Sequence, residues 1–153
     1  MAEKIGAGDY MEAAKEKLGA ARREQDVGLY SGAVLNACLA VDNAVNAFLL
    51  AIGARPAKRH RWTLAVMNAA KSRKPELLRA KTFREVLELV KELEAGAHMI
   101  RSRYPFTFGG KKLIPEEYYT IEVAGEVLGK AEEILAKITK LIEKWESTNS
   151  LLR

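Results

Sequence analysis

The sequence predicts an all-α protein, an up-and-down antiparallel bundle of four to five main helices. Apolar residues recur at helical spacing along most of the 153 residues, and glycines and prolines separate the helical segments. Few stretches compete as strands. With 48% hydrophobic residues the chain can fill one core, so we expect a single domain over residues 1–153.

The expected helices follow one another with short breaks. They cover about residues 9–26, 31–52, 62–72, 82–103 and 120–148, with an extra turn or two over 76–80 after Pro75. Asp9, Ser31 and Thr82 are the expected N-cap residues, since their side-chain oxygens can accept hydrogen bonds from first-turn N–H groups. The second helix is apolar nearly all round, which predicts a central position.

Charge and composition exclude several classes of protein. The formal net charge is +5, which is compatible with a phosphate-bearing partner. The single cysteine, Cys38, rules out an intrachain disulfide framework and a cysteine-based zinc site. The sequence shows neither a signal peptide nor an uninterrupted apolar span, so we expect a cytoplasmic protein that does not enter the membrane. A single glutamine among many Glu, Lys and Ala is typical of a thermophilic source.

Motifs for conventional enzymes are missing from the sequence. There is no Walker-type phosphate loop, no His-Glu-x-x-His motif and no serine nucleophile with a paired base. The carboxylates show no spacing that supports metal ligation. We therefore expect neither a metal nor a conventional cofactor.

Arg101 is the most informative candidate residue. On a continuous helix from Phe83 the apolar positions form one stripe, and at ~100° per residue Arg101 lies only ~40° from its centre. We therefore expect its guanidinium to face inward or into a cleft. A guanidinium keeps its proton and is costly to bury alone, so it needs a carboxylate, carbonyl groups or a bound phosphate. Arg103 follows in the same last turn, just before Tyr104.

Polar side chains share an arc of ~120° on the otherwise apolar second helix. They are Asn36, Asp42, Asn43 and Asn46. In one interpretation this arc is the solvated face of the helix. In the other, the arc lines the same groove as Arg101, and Asp42 is available to pair with a guanidinium.

The two histidines have two interpretations each. His98 shares a helix face with Glu94 and Arg101, where it could move a proton or belong to a polar flank of neighbouring pairs. His60 lies in the basic run 58–61, which is either a solvated charge cluster or a phosphate contact.

The long connection over residues 104–119 is a candidate functional loop because connections of this length are uncommon without a purpose. Lys111 and Lys112 follow two glycines within it. Mobile lysines beside free backbone N–H groups could hold a phosphate. The aromatic residues of the connection could stack on bases or pin the loop against the bundle.

Four segments together resemble the HEPN family of small helical domains. They are AVLNACLAVDNAVNAFLLAIGARP at 33–56, a histidine-containing helix entrance, IRSRYP at 100–105 and YTIEVAGEVLGKAEEIL at 119–135. The Arg-Tyr-Pro tripeptide after a long helix is the most specific element. The matching segments span about two thirds of the chain.

The resemblance implies a helical bundle that forms a homodimer, with polar residues collected in the two-fold groove. Family members often act beside a small nucleotidyltransferase, and the active ones are metal-independent ribonucleases that act as toxins in toxin-antitoxin pairs. Their signature is an arginine followed about four to six residues later by a histidine. No histidine follows Arg101 in this chain, so we do not expect catalysis by the usual pair.

Three hypotheses about function follow from these observations. The first is a dimeric module, partner of a nucleotidyltransferase, that binds nucleotide or RNA phosphate through Arg101, Arg103, Tyr104, Asp42, Asn43, Asn46, Lys111 and Lys112. The second is a ribonuclease in which His98 or His60 replaces the missing histidine. The third is a helical interaction scaffold in which Arg101 bridges Asp42 or Glu94.

Overall fold

The computed structural model describes residues 3–57 and 60–151, and over these residues the chain folds as an all-α bundle with one small hairpin. The elements are α1 Ala7–Asp26, α2 Tyr30–Ala51, α3 Trp62–Arg73, a 3₁₀ turn Pro75–Arg79, α4 Lys81–Ala95, α5 His98–Arg101, β1 Phe106–Phe108, β2 Lys111–Leu113, α6 Pro115–Tyr118 and α7 Ile121–Leu151. The predicted bounds of α1, α2, α3 and α7 agree closely with these. Lys58 and Arg59 of the predicted basic run lie outside the described residues.

Helix α2 is the centre of the bundle, as its apolar composition predicts. It packs against α1 and α7, and its side chains at Val34, Val41 and Val45 are fully buried. By length and composition alone α2 could cross a membrane, but 67% of its apolar window is buried inside the bundle. Burial of this kind is the pattern of a core helix.

Helix α7 is tied to three other helices by polar contacts. The Trp145 indole N–H donates to the carbonyl oxygen of Ala51 in α2 at 2.8 Å. The Arg22 guanidinium of α1 pairs with the Glu132 carboxylate at 3.0 Å. Lys137 pairs with a glutamate of α4. These contacts fix α7 along the length of the bundle.

The predicted helix over residues 82–103 is wrong in one respect, because the chain leaves the helical path at Ala97. This residue has a left-handed φ of +52°, and α4 therefore ends before it and α5 begins after it. The break changes the direction of the following turn. As a result Ile100 is 58% exposed and Tyr104 is 54% exposed, although a continuous helix would place both in the apolar stripe.

The connection over residues 104–119 contains structure that the sequence did not predict. Strands β1 and β2 pair antiparallel, with Phe106 opposite Leu113 and Phe108 opposite Lys111. Gly109 and Gly110 both have positive φ, as a tight two-residue hairpin turn requires. The connection is thus an ordered hairpin followed by the short helix α6.

The three expected N-cap residues are wrong by two to three positions. The N-cap residues are Gly6, Leu29 and Ala80, so Asp9, Ser31 and Thr82 lie inside the first turns. Asp9 still contributes there, since its carboxylate accepts a hydrogen bond from the Gly6 N–H at 2.8 Å. An acidic side chain in the first turn also suits the helix dipole.

Candidate functional site

Arg101 lies at the end of α5 against the hairpin. Its guanidinium carbon is 5.2 Å from the centre of the Phe106 ring and 5.6 Å from that of Phe108. These distances are those of cation–π contacts, which hold the half-buried side chain in place. Among the described residues no carboxylate lies within ion-pair distance of Arg101. The aromatic contacts position this cation without neutralising it.

Arg103 lies on the same turn and is exposed. Its Nε donates to the carbonyl oxygen of Met99 at 2.8 Å, and its guanidinium carbon is 5.3 Å from the Tyr104 ring centre. The terminal guanidinium nitrogens still have donor capacity after that single bond. Arg101 and Arg103 therefore give this end of the bundle two positive groups held by neighbouring rings and backbone.

A chain of aromatic rings links the hairpin to the core. The Phe106 and Phe108 rings lie 5.2 Å and 5.3 Å from the Tyr118 ring, which in turn lies 4.9 Å from the Tyr119 ring. The Tyr119 ring lies 5.8 Å from the His98 ring. Aromatic residues of the connection thus pin the hairpin to the bundle, as one interpretation predicted, and they also carry Arg101.

His98 and Tyr119 form a hydrogen bond of 2.8 Å between the imidazole Nδ1 and the phenol oxygen. Burial, together with the positive charges of Arg101 and Lys130, lowers the pKa of His98 to about 4. Burial also raises the pKa of Tyr119 well above its ordinary value. Both groups are therefore neutral at pH 7, and His98 adds no positive charge to the site.

A pocket of about 290 Å³ opens beside α5. It is lined by Cys38, His60, Arg61, Trp62, Leu93, Glu94, Ala97, His98, Met99, Ile100 and Arg103. Most of this lining is apolar. One carboxylate oxygen of Glu94 is buried and has no hydrogen-bond donor among the described residues. Burial raises the pKa of the Cys38 thiol to about 12, so this cysteine is an unreactive residue in the wall of the pocket.

Asp42 does not pair with Arg101. Its Oδ1 accepts a hydrogen bond from the Trp62 indole N–H at 2.8 Å and lies 2.9 Å from the Nδ1 of His60. Asp42 therefore joins α2 to the start of α3. It contributes to the pocket indirectly, because Trp62 and His60 both line it.

The asparagines of the polar arc bond within the fold. The Asn46 side chain is buried and its oxygen accepts from the Ala57 N–H at 2.8 Å, while Asn43 donates to the carbonyl oxygen of Leu39 at 3.0 Å. Asn36 donates to the Glu24 carboxylate. Neither interpretation of this arc, as a solvated face or as the lining of a groove with Arg101, describes it fully, because each polar side chain forms a hydrogen bond within the bundle.

The two candidate lysines lie on β2 and are exposed. Lys111 is opposite Phe108 in the hairpin register, and Lys112 is opposite Thr107. Because directly opposed side chains share a face of an antiparallel pair, Lys111 lies on the face that carries Arg101 and Lys112 on the other.

Sequence reasoning missed Trp62 as a part of the site and considered Tyr119 only among the aromatic residues of the connection. Trp62 begins a helix and reads as an ordinary core residue, while Tyr119 reads as the end of a loop. A polar partner for Asp42 twenty residues away leaves no local signal. The sequence did indicate that Glu94 and His98 share a helix face, and both residues line the pocket.

The fold and the site define a small all-α bundle domain with two arginines and an aromatic hairpin at one end. The chain belongs to the HEPN family, since the family model described as HEPN domain matches residues 7–142. The chain is also similar to the crystal structure of TT1696 from Thermus thermophilus, with a TM-score of 0.68 and 24% identity over 88% of this chain and 96% of that chain. That likeness shows the fold. No curated protein matches the sequence.

Proposed function

We propose that the protein binds a nucleotide or an RNA phosphate at the surface formed by α5, the hairpin and the adjoining pocket. The observation that carries this proposal is the state of Arg101. Its guanidinium is half-buried and held by two phenyl rings, and no carboxylate among the described residues pairs with it. A fixed cation without an internal counter-ion is suited to bind an external anion.

The other charges near Arg101 support a phosphate as that anion. Arg103 lies two residues away, and Lys111 lies on the hairpin face that Arg101 contacts. Tyr104, which the Arg103 guanidinium contacts, is exposed at the same turn. Arginine binds phosphate through two parallel hydrogen bonds, and a nearby lysine adds a mobile point charge.

The pocket supports a base or sugar beside the phosphate. Its volume of about 290 Å³ is at the lower end for small-molecule sites, and its walls are mostly apolar. The unpaired Glu94 oxygen would accept a hydrogen bond from an amino group on a bound base. Arg103 lines the same pocket, so a base there would place its phosphate near the arginines.

One observation favours a second function, a metal-independent ribonuclease that uses His60. Asp42 bonds to the Nδ1 of His60, which leaves Nε2 of the ring as a proton acceptor for a ribose 2′-hydroxyl. His98 is a poorer general acid or base at pH 7, because its pKa is about 4 and its Nδ1 is bonded to Tyr119. Cleavage of RNA in the presence of a chelator would support this function if it disappears in His60→Ala and persists in His98→Ala.

We also propose that the protein acts as a homodimer. Among the described residues nine large hydrophobic side chains are exposed, and five of them lie between residues 100 and 121. They are Ile100, Tyr104, Phe108, Ile114 and Ile121. A second copy packed against part of this set would bury apolar area and bring two sets of arginines near one groove. Sedimentation should give a dimer for the wild type and a monomer for Ile114→Ser.

A nucleotidyltransferase partner in a toxin-antitoxin-like pair is part of the same proposal, because members of the HEPN family often act beside a small nucleotidyltransferase. The neighbouring reading frame tests it directly. A nucleotidyltransferase encoded there that co-purifies with this chain supports the pairing, and a lone gene whose product purifies alone contradicts it.

Chemical-shift mapping tests the binding site. Titration of adenosine 5′-monophosphate into ¹⁵N-labelled protein should shift the amides of Glu94, His98 and Arg103 together. Amides of Lys15 and Lys17, which are exposed on α1 and line neither this pocket nor any other part of the proposed site, serve as the internal control and should not follow the same curve. Saturable shifts absent from α5 and the pocket would contradict the proposal.

A further inference from the structure

A second and larger pocket, of about 490 Å³, lies between the start of α4 and the later turns of α7. It is lined by Lys74, Glu76, Leu77, Ala80, Lys81, Thr82, Lys140, Leu141, Lys144 and Trp145. It shares no residue with the pocket beside α5. The two pockets are near opposite ends of α4 and therefore about 20 Å apart at 1.5 Å per residue.

Lysines dominate the charge of this second pocket. Four lysines line it against one glutamate. Partial burial lowers the pKa of Lys74, the charge of Glu76 opposes that effect, and the charge of Lys144 adds a smaller lowering. Lys81 also lies 4.0 Å from the Glu85 carboxylate, so part of this charge is compensated within the fold. The excess of lysines over carboxylates in the lining still favours a bound anion.

The walls of the second pocket are fixed by the core. The Trp145 indole is anchored by its 2.8 Å hydrogen bond to Ala51, and the Lys74 ammonium lies 3.1 Å from the centre of the indole ring. Leu77 and Leu141 are buried at the base. A pocket with a rigid base and cations on its rim requires little reorganisation to accept a ligand.

Helix α4 begins at the rim of the same pocket. Ala80 is its N-cap residue and supplies no side-chain hydrogen bond, so first-turn N–H groups remain without an intrahelical partner. Together with the lysines they add positive potential where Thr82 and Lys81 line the pocket. This contribution supplements the lysine cluster.

We propose that the second pocket binds a small anion with two or more phosphate groups. The exposed Lys81 and Lys140 match such a ligand, because each ammonium group is a compact charge on a flexible stem that can meet a separate phosphate oxygen. The bounded volume favours a compact ligand over a continuous nucleic-acid strand, which binds along a charged groove. This proposal does not rest on the proposed function, because Arg101 takes no part in the second pocket.

Calorimetric titration with inorganic tripolyphosphate at low salt tests the proposal, since screening would weaken a lysine site. We expect one saturable site per chain at the second pocket. The double variant Lys81→Gln/Lys140→Gln should weaken that binding by about tenfold or more. Lys91→Gln is the matched control, because Lys91 is an exposed lysine on α4 away from the pocket, and its affinity should stay within about twofold of wild type.

A further variant separates this site from the one beside α5. Arg101→Ala should retain tripolyphosphate binding, whatever it does to nucleotide binding. The proposal is overturned if Arg101→Ala abolishes the tripolyphosphate signal while the double lysine variant keeps it. It is also overturned if millimolar tripolyphosphate gives no saturable heat, or if only an RNA oligonucleotide binds in a lysine-dependent way.

Discussion

The His98 imidazole and the Tyr119 phenol meet at 2.8 Å in the partly buried region between α5 and the core. Tyr119 is only 2% exposed, so this bond satisfies a polar group that would otherwise be buried alone. The low pKa of the buried ring keeps His98 neutral beside Arg101. His98 therefore adds no positive charge to that of Arg101, Arg103 and Lys130 around it.

The low pKa of His98 predicts a pH dependence of stability. The pKa is 6.5 for an ordinary histidine and about 4 in the folded protein, so the unfolded chain takes up the proton at higher pH. The stability due to neutral His98 is therefore complete above pH 6.5 and is lost as the pH falls towards 4. We expect a loss of about 2 kcal/mol, less than the full pKa difference gives because the ring is partly exposed to solvent.

Urea unfolding of wild type and His98→Asn between pH 7 and pH 4 measures this loss. Asparagine can still bond to the Tyr119 phenol but does not titrate, so its stability should fall less over this range. Parallel curves for the two proteins would show that His98 does not carry the effect.

Substitution of Gly96 tests the packing of the His98 ring. A methyl group added at Gly96 would overlap Nε2 of His98, so Gly96→Ala must displace the ring. We expect a cost of about 1–2 kcal/mol and a rise in the pKa of His98 towards 6.5, read from its ring protons by NMR.

Gly129→Ala in α7 is the matched control, because its added methyl group meets nothing within 4 Å. That substitution should stabilise the helix by about 0.5–1 kcal/mol. An unchanged His98 titration in Gly96→Ala would contradict the contact.

Asp42 is expected to act through stability. Asp42→Ala leaves the buried Trp62 N–H without an acceptor, which should cost about 2 kcal/mol in urea unfolding. Asp42→Asn keeps an oxygen at that position and should cost less. Equal stability of the alanine variant and the wild type would mean that the bond to Trp62 adds nothing.

The hairpin register predicts different roles for its two lysines. Lys111 shares a face with Phe108 and hence with Arg101, whereas Lys112 lies opposite Thr107. Lys111→Ala should weaken adenosine 5′-monophosphate binding by about fivefold, and Lys112→Ala by less than about twofold. Fluorescence titration of the two variants gives the comparison, and equal losses would argue against the assigned face.

The helices and the central place of α2 could be predicted from the sequence because burial imposes a repeating apolar pattern. The break at Ala97 could not, because alanine favours helix and the apolar stripe continues across it. That break decides where Arg101 lies. We expected its side chain to face inward, and in the structure it packs against the hairpin instead. The hairpin itself rests on two glycines and three-residue strands, too short for an alternating pattern to be read.

The candidate site could be predicted only in part, because sequence spacing identifies polar residues but not their partners. A buried arginine without a partner costs free energy, so the position of Arg101 near the apolar stripe was enough to predict a functional role. The partners of Asp42 and Asn46 come from residues 11 to 20 positions away, and helix periodicity carries no information about them. Sequence therefore located the polar groups without showing which of them are already satisfied.

Equilibrium binding of adenosine 5′-monophosphate to Arg101→Ala tests the central claim most directly. Arg84→Ala, an exposed arginine on α4, is the matched control. We expect Arg101→Ala to weaken binding by about tenfold or more while its free energy of unfolding changes by less than about 1 kcal/mol, and Arg84→Ala to change neither. Unchanged affinity in Arg101→Ala, together with a loss of stability of about 3 kcal/mol, would contradict the account and identify Arg101 as a structural residue.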